Sequence, residues 1–369
     1  MFFKTSAFYF FYFSSVGIQV IFLADILKNI GYSPYLVGIV FAMPGIMKFV
    51  LPFLFIRMRI TKFQLYFYQV LFILASTSLY FTIENFYLLL ISISVIAFCS
   101  GVLLPLVDSI SMQVFGSGRY GKTRLWGSIG FILIGLFLGE VLSGYFLALH
   151  CYLLCTIMIV LFSYLCIDDE HLVLPKYDFN SKITSRINQN NFWISIFLLQ
   201  VSFGAMYGFF TIYERSFGVS LSTISYFWTV AVVCEIVMLN YQSSVLKRFD
   251  LLSLIKFCIG VTVIRWFILY LYPASEILVY LSQGLHAFSF ALFLSASLAY
   301  LHKYYHNKNL VQMFFQGIVF GLGSFVGFYL FGLLYGRELF LYAAIIAFVS
   351  FVVLAYQKKE THLKKDIDV

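Results

Sequence analysis

Charge is what this sequence has least of. Of its 369 residues only 11% are Asp, Glu, Lys or Arg, while 62% are hydrophobic, and the mean hydropathy is +0.93. Soluble domains carry about 25% charged residues, so the composition excludes a soluble domain and indicates a polytopic membrane protein. Cysteine pattern is missing too. Cys99, Cys151, Cys155, Cys166, Cys234 and Cys258 lie in or at the ends of apolar runs, with neither metal-ligand spacing nor a disulfide framework. There is no P-loop and no nucleophile elbow, so nothing suggests ATP hydrolysis, an enzyme active site or a bound cofactor. The formal charge of +8 does not mark a nucleic-acid binder, because the basic residues sit in short turns between apolar runs.

What is present is a succession of apolar runs with short polar breaks. The expected spans are 6–27, 35–56, 63–83, 86–107, 125–147, 149–167, 192–213, 221–243, 251–272, 277–300, 310–334 and 338–357. Each is long enough to cross a bilayer as a helix. The N-terminus has one early lysine, Lys4, and no small-residue cleavage site, so the first run reads as a span and not as a removable signal. Breaks such as Gly31-Tyr32-Ser33-Pro34 carry turn chemistry. If the N-terminus is cytoplasmic, most Lys and Arg fall in inner segments. The outer loops then hold only Lys28, Arg215 and Arg337. That asymmetry places both termini in the cytoplasm and the protein in the inner membrane.

The longest polar break, 168–191, divides the chain into two parts. The expected organisation is an N-terminal six-helix bundle over 1–167, a cytoplasmic linker over 168–191, a C-terminal six-helix bundle over 192–357 and a cytoplasmic tail over 358–369. The two bundles resemble each other. At one constant offset Gly17, Phe22, Lys28, Gly31 and Ser33 meet Gly204, Phe209, Arg215, Gly218 and Ser220, and Lys48 meets Glu235. At a neighbouring offset Gly135 and Gly139 meet Gly323 and Gly327. A duplicated six-helix unit follows, the parallel repeat of a large transporter class.

The few intramembrane charges carry the functional signal. Glu235, Arg265 and His286 lie on the eighth, ninth and tenth spans, within roughly 5 Å of the bilayer midplane at 1.5 Å per residue. A charge there costs about 2.5–3.5 kcal/mol on insertion scales, so it is kept for a protected partner or a task. Arg265 has the planar fork that suits carboxylates; it could hold an anionic solute or Glu235. Competition between the two would couple proton exchange at Glu235 to solute binding. Gln283 and His286 are three apart and share a face, both able to hydrogen-bond a solute. The alternative is a structural ion pair that locks two helices. Lys48 either faces a cavity or snorkels to the interface. Asp108 and Arg124 either form a gate pair or belong to an ordinary solvated loop. Glu140 either lines a cavity or pairs locally, and Asp25 and Glu214 are expected to be wetted near outer helix ends. Gly135 with Gly139, Gly317 with Gly321, and Gly323 with Gly327 repeat at four-residue spacing and permit close helix packing, where the fifth and eleventh spans could meet across the two bundles. Among the 21% aromatic residues, Tyr207, Phe209, Phe210 and Trp228 are placed near a cavity, where an aromatic solute could stack.

Several stretches resemble one family. Tyr120-Gly121-Lys122-Thr123-Arg124-Leu125-Trp126-Gly127-Ser128-Ile129-Gly130-Phe131, preceded by Pro105-Leu106-Val107-Asp108, looks like the fourth-to-fifth helix signature of the phenylpropionate/proton symporter-like permeases. This branch of the major facilitator superfamily lies near the lactose permease and nucleoside/proton symporter groups. Met206-Tyr207-Gly208-Phe209 with Trp228 and Glu235, Ile264-Arg265-Trp266, and Gln283-Gly284-Leu285-His286-Ala287-Phe288 agree. The resemblance implies an all-α fold of twelve transmembrane helices in two pseudo-symmetric bundles rocking about a central cavity. It also implies that Glu235, Arg265 and His286 match polar positions of lactose permease-like symporters. Where lactose permease has a proton-carrying glutamate one turn after the histidine, this chain has Ser289, which leaves Glu235 as the expected proton carrier. The loop Arg57-Met58-Arg59-Ile60-Thr61-Lys62 departs from the usual glycine-and-aspartate signature. The expected function is proton-coupled symport of a small organic solute, an aromatic or other organic acid. The alternatives are a sugar or nucleoside symporter or a drug exporter on the same fold, and, more remotely, a non-transporting membrane sensor. The expected partners are the solute, protons and the lipid bilayer, with the chain acting as a monomer.

Overall fold

Hydrocarbon offers no water to backbone N–H and C=O groups, so each span must close its hydrogen bonds within itself. Helices do this throughout the computed structural model, which describes residues 1–55, 61–167 and 189–357. The loop at 56–60, nearly all of the 168–191 linker and the tail at 358–369 lie outside the described residues. The helices are α1 (Phe2–Ile30), α2 (Pro34–Phe55), α3 (Lys62–Thr82), α4 (Phe86–Gly116), α5 (Arg119–Val141), α6 (Tyr145–Cys166), α7 (Asn190–Ser216), α8 (Leu221–Arg248), α9 (Leu251–Leu271), α10 (Glu276–Tyr304), α11 (Leu310–Leu333) and α12 (Leu339–Ala355). The first eleven are long and apolar enough to cross a membrane, and α12 is a shorter apolar helix. Among the described residues the chain therefore forms twelve apolar helices.

Local chemistry sets the ends. Thr61 and Gln64 form a reciprocal capping box at α3. Asn85, Ser220, Asp250 and Asn307 cap α4, α8, α9 and α11 through their side chains. The repeat is visible in the backbone: α1 ends on Gly31 at φ 111° and α7 ends near Gly218 at φ 87°. That left-handed conformation favours glycine. Tyr32 N–H donates back to Leu27 O at 3.0 Å, and Val219 N–H to Glu214 O at 3.3 Å.

Two expectations are corrected. The fifth helix runs over Arg119–Val141 instead of 125–147, because the chain breaks at Leu142-Ser143-Gly144 and the apolar residues from Tyr145 start the next helix. The solvated-loop reading of 108–124 also falls. Helical structure extends through it apart from a kink at Gly116, φ 65°, so Asp108 and Arg124 sit on helices. π-Helical turns interrupt α1 at Ile18–Leu23, α10 at Ala287–Leu292 and α11 at Gln316–Gly323.

The first six helices meet the last six along two seams. In one, α2 packs on α11 nearly backbone to backbone. A Cβ on Gly38 would lie 2.6 Å from Phe328 O, and one on Gly321 would lie 2.9 Å from Phe49. In the other, α5 meets α8: Ser222 Oγ donates to Gly139 O at 2.9 Å and Tyr226 to Glu140 at 3.1 Å. The fifth and eleventh helices thus each pack on a helix of the opposite half, and the main seams do not join them to each other. Gly135 admits Ile21, a Cβ on Gly317 would lie 3.8 Å from Phe49, Gly323 packs on Gln200, and Gly327 meets Gly204 and Val201.

The halves part toward the end of the molecule that carries residue 1. On α8 the buried residues run from Ile224 to Val232, and none is buried from Val233 onward. Beyond that point Glu235 and Gln242 are only partly buried, which we read as the border of a cleft between the halves. The opposite end is closed.

Gly38→Val should overpack the α2–α11 seam by about 1–3 kcal/mol and lower the thermal midpoint in detergent. Gly260→Ala, whose Cβ would meet nothing nearer than 3.8 Å, should leave that midpoint unchanged.

Candidate functional site

Two polar clusters border the cleft, one from each half. In the C-terminal half Arg265 is fully buried. Its Nη1 bonds His286 Nδ1 at 2.8 Å and Ser289 Oγ at 3.1 Å, and its Nη2 bonds Gln283 Oε1 at 2.8 Å. These three partners lie three residues apart on α10 and form one face. Arginine only donates, so His286 Nδ1 accepts and the ring proton sits on Nε2. That nitrogen points to Glu235 Oε2 at 3.7 Å, just beyond a hydrogen bond. Glu235 is 23% exposed against 3% for His286. The chain of contacts therefore runs from the cleft at Glu235 to the buried guanidinium.

An aromatic wall adjoins this cluster. Tyr207 on α7 stacks on Trp228 of α8 at 5.7 Å and meets the His286 ring edge-on at 6.4 Å. His286 lies parallel to Phe290 at 5.1 Å, on the first turn of the π-helical stretch. Such bulges re-aim side chains at functional sites. Phe210 packs edge-on against Trp228, whereas Phe209 packs against Tyr335 near the closed end; its expected place near the cavity is corrected.

In the N-terminal half Asp108 collects three donors on one oxygen. Arg124 Nη1 lies 2.6 Å away, the Tyr9 hydroxyl 2.7 Å and the Tyr120 hydroxyl 3.0 Å. The Arg124 guanidinium also sits over the Tyr9 and Phe13 rings at 5.4 and 5.0 Å, a cation–π arrangement. Arg124 and Asp108 remain 36% and 27% exposed. Phe131 of α5 touches Trp228 at 6.1 Å between the two clusters.

Lys48 is exposed. It lies eleven residues, close to three turns, beyond the fully buried Val37 of α2. Glu140 is not beside the polar clusters. It bonds Tyr226 across the halves at the closed end. Asp25 and Glu214 are not wetted as expected. Asp25 is 5% exposed and pairs with Arg215 at 3.6 Å, and Glu214 is fully buried. Tyr9 and Tyr120 were missed from sequence. The signal available was weak: one tyrosine in an aromatic run and another inside the helix-four to helix-five signature.

The MFS_1 like family model matches residues 2–362, and the chain belongs to that family of transporters. It is 27% identical over 315 residues to a probable 3-phenylpropionic acid transporter of Escherichia coli (strain K12), covering 79% of this chain and 80% of that protein. It is 25% identical over 298 residues to the uncharacterized transporter YwbF of Bacillus subtilis (strain 168), covering 76% and 73%. A crystal structure of a mutant nucleoside transporter NupG superposes with a TM-score of 0.81 at 18% identity, covering 97% of this chain and 100% of that one. The protein is a transporter, an integral multi-pass membrane protein that takes a small-molecule solute.

Asp108→Asn should remove the charge from a bond set that holds three donors, at a cost of about 1.5–3 kcal/mol. Tyr120→Phe removes one neutral donor and should cost about 0.5–1.5 kcal/mol. Thermal unfolding in detergent should rank the two variants in that order.

Proposed function

We propose that this protein is a proton-coupled symporter of a small organic acid, moved by alternating exposure of the cleft to the two sides of the membrane. One observation carries the reading. In the cluster around Arg265, the buried polar atoms without a partner among the described residues are all donors: Arg265 Nε, Gln283 Nε2 and Trp228 Nε1. Buried donors are normally paired. A wall with unused N–H groups and a guanidinium suits a solute rich in acceptor oxygens, above all a carboxylate. A sugar or nucleoside supplies donors as well as acceptors and fits this surplus less well.

The roles follow. Tyr207 and Trp228 offer stacked rings to an aromatic solute. Gln283, His286 and Trp228 orient it by hydrogen bonds. Arg265 answers its negative charge from behind His286 and Gln283. Glu235, with water on one side and His286 on the other, exchanges the proton. Arg124 and Lys48 keep the cleft attractive to anions, and Asp108 holds Arg124 in place. The name of the Escherichia coli relative, a probable 3-phenylpropionic acid transporter, agrees with this solute class. The bias of Lys and Arg toward the segments on the side of residue 1 supports an inner-membrane protein with both termini cytoplasmic. The proposed working unit is one chain, with 1–167 and 192–357 as its two moving bodies joined by the 168–191 linker.

Uptake of labelled 3-phenylpropionate into proteoliposomes tests this. With an imposed inward proton gradient the solute should accumulate, and a protonophore should abolish the accumulation. Glu235→Gln should keep exchange of labelled for unlabelled solute but lose accumulation; normal accumulation by that variant removes Glu235 from the coupling. Trp228→Phe keeps the ring and deletes the N–H donor, so it should raise KM several-fold for the acid with a smaller change in maximal rate.

A further inference from the structure

The closed end of the molecule contains a buried acid that the reading above does not use. Glu214, in the last turn of α7, is fully buried, and neither of its carboxylate oxygens has a hydrogen-bond partner among the described residues. Thr211, one turn earlier, is also buried with an unpartnered hydroxyl. Glu214 lies seven residues, two turns, beyond Tyr207. It therefore shares the inward face of α7 that borders the cleft, but on the sealed side. There the last turns of α1 and the body of α2 pack against α7 across the halves.

Among the described residues no cation is ion-paired with Glu214. On α1 the ionisable groups nearby are Asp25 and Lys28. Asp25 is engaged by Arg215 at 3.6 Å and by Asn29 at 3.1 Å. The first turn of α2 has no acidic residue. On α7 itself Tyr213 donates to Arg337 O at 3.2 Å. Arg337 and Tyr335 lie between α11 and α12, where Tyr335 donates to Ile212 O. On the α5–α8 side Glu140 and Tyr226 bond each other. None of these groups is hydrogen-bonded or ion-paired to Glu214 among the described residues. A carboxylate out of water without partners is strongly disfavoured, and such a group takes up a proton instead.

We propose that Glu214 is a proton-binding site within the seal between the two halves, and that proton uptake there is the condition for the outer end to close. Opening that end would separate α7 from α1 and α2, wet the carboxyl and release the proton; closing it requires the proton back. The Asp25–Arg215 pair spans the same junction and latches it, so one contact holds the seal while the buried acid senses pH. The proposal rests on the alternating-access reading but not on the role given to Glu235.

The test reads the outer end directly. Spin labels carried by an unnatural amino acid at Ser33 and Tyr272, exposed positions on opposite halves at that end, report its opening by pulsed electron spin resonance in nanodiscs. In the wild-type sequence the short distance should dominate at pH 5.5 and a longer one should grow toward pH 8.5. Glu214→Gln should hold the short distance across that range. Asp25→Asn should lengthen the distance yet keep its pH response. A wild-type distance that ignores pH, a Glu214→Gln protein that still follows it, or loss of the response in Asp25→Asn overturns the proposal. Closure that follows sodium at constant pH assigns the site to a metal cation and overturns it as well. If Glu214→Gln does not fold, the unmodified protein decides. The apolar reagent dicyclohexylcarbodiimide should modify Glu214 at pH 5.5, located by peptide mapping, whereas a water-soluble carbodiimide should not; absence of the apolar adduct overturns the assignment. Failure of the solute reading would appear in the uptake assay and leave these distances unchanged.

Discussion

A charged group placed in hydrocarbon must be answered by the protein, and Arg265 shows what that demands. Removing an ion from water costs several kcal/mol even after relaxation. The guanidinium recovers part of this through three bonds to one face of α10. Those bonds do more than stabilise. They fix the ring of His286, set which nitrogen bears its proton and aim that nitrogen at Glu235. Ser289 belongs to the same arrangement. It accepts from the arginine, and the nearest acid of the arrangement is Glu235 on α8, which meets His286 rather than the guanidinium. Between the guanidinium and the carboxylate there is then the imidazole ring and a gap, an arrangement that under the proposed function would change when a solute anion arrives.

The seams explain how such a cluster can be presented to one side and then the other. Along α2 and α11, glycines let backbones approach closely, beside the ring contacts Phe41–Phe328 at 5.6 Å and Tyr35–Tyr329 at 6.0 Å. Along α5 and α8 the contacts include Ser222 to Gly139 and Tyr226 to Glu140, short polar bonds near the closed end that can be exchanged for water. The two seams flank the cleft, so loss of the second set and the Asp25–Arg215 pair, with tilting on the first, would open the end that is now shut.

Much of this was legible in the sequence, for physical reasons that differ by feature. Spans are readable because every backbone group in lipid must be paired inside a long apolar helix, and polar turns then stand out. The duplication is readable because Gly31 and Gly218 occupy the same left-handed helix end in each half. That Gln283 and His286 share a face follows from helix spacing. Other features were not readable. Apolar residues on both sides of Leu142-Ser143-Gly144 hide where α5 stops. π-Helical turns arise from packing and leave no composition signature. Burial of Glu214 and Asp25 depends on the halves meeting at that end, and an acid near a helix terminus looks the same in sequence whether it faces water or another helix. The burial of Arg265 behind His286 is likewise a matter of side-chain direction, which residue spacing alone does not define.

Under the proposed roles, the two acids of the C-terminal half divide one task by location. Glu235 meets water through the open cleft, while Glu214, on the same inward side of the bundle, is shut off by α1 and α2. When the halves tilt, the first loses water as the second gains it. A carboxyl that alternates between wet and dry surroundings exchanges its proton with the side that wets it, so two such groups at opposite ends of one cleft would respond to the two compartments separately. Tyr207 lies two turns before Glu214 on α7 and touches His286, next to Glu235. A small rotation of α7 would therefore reach both acids, which makes this helix the element through which the state of the seal and the state of the solute site act on each other.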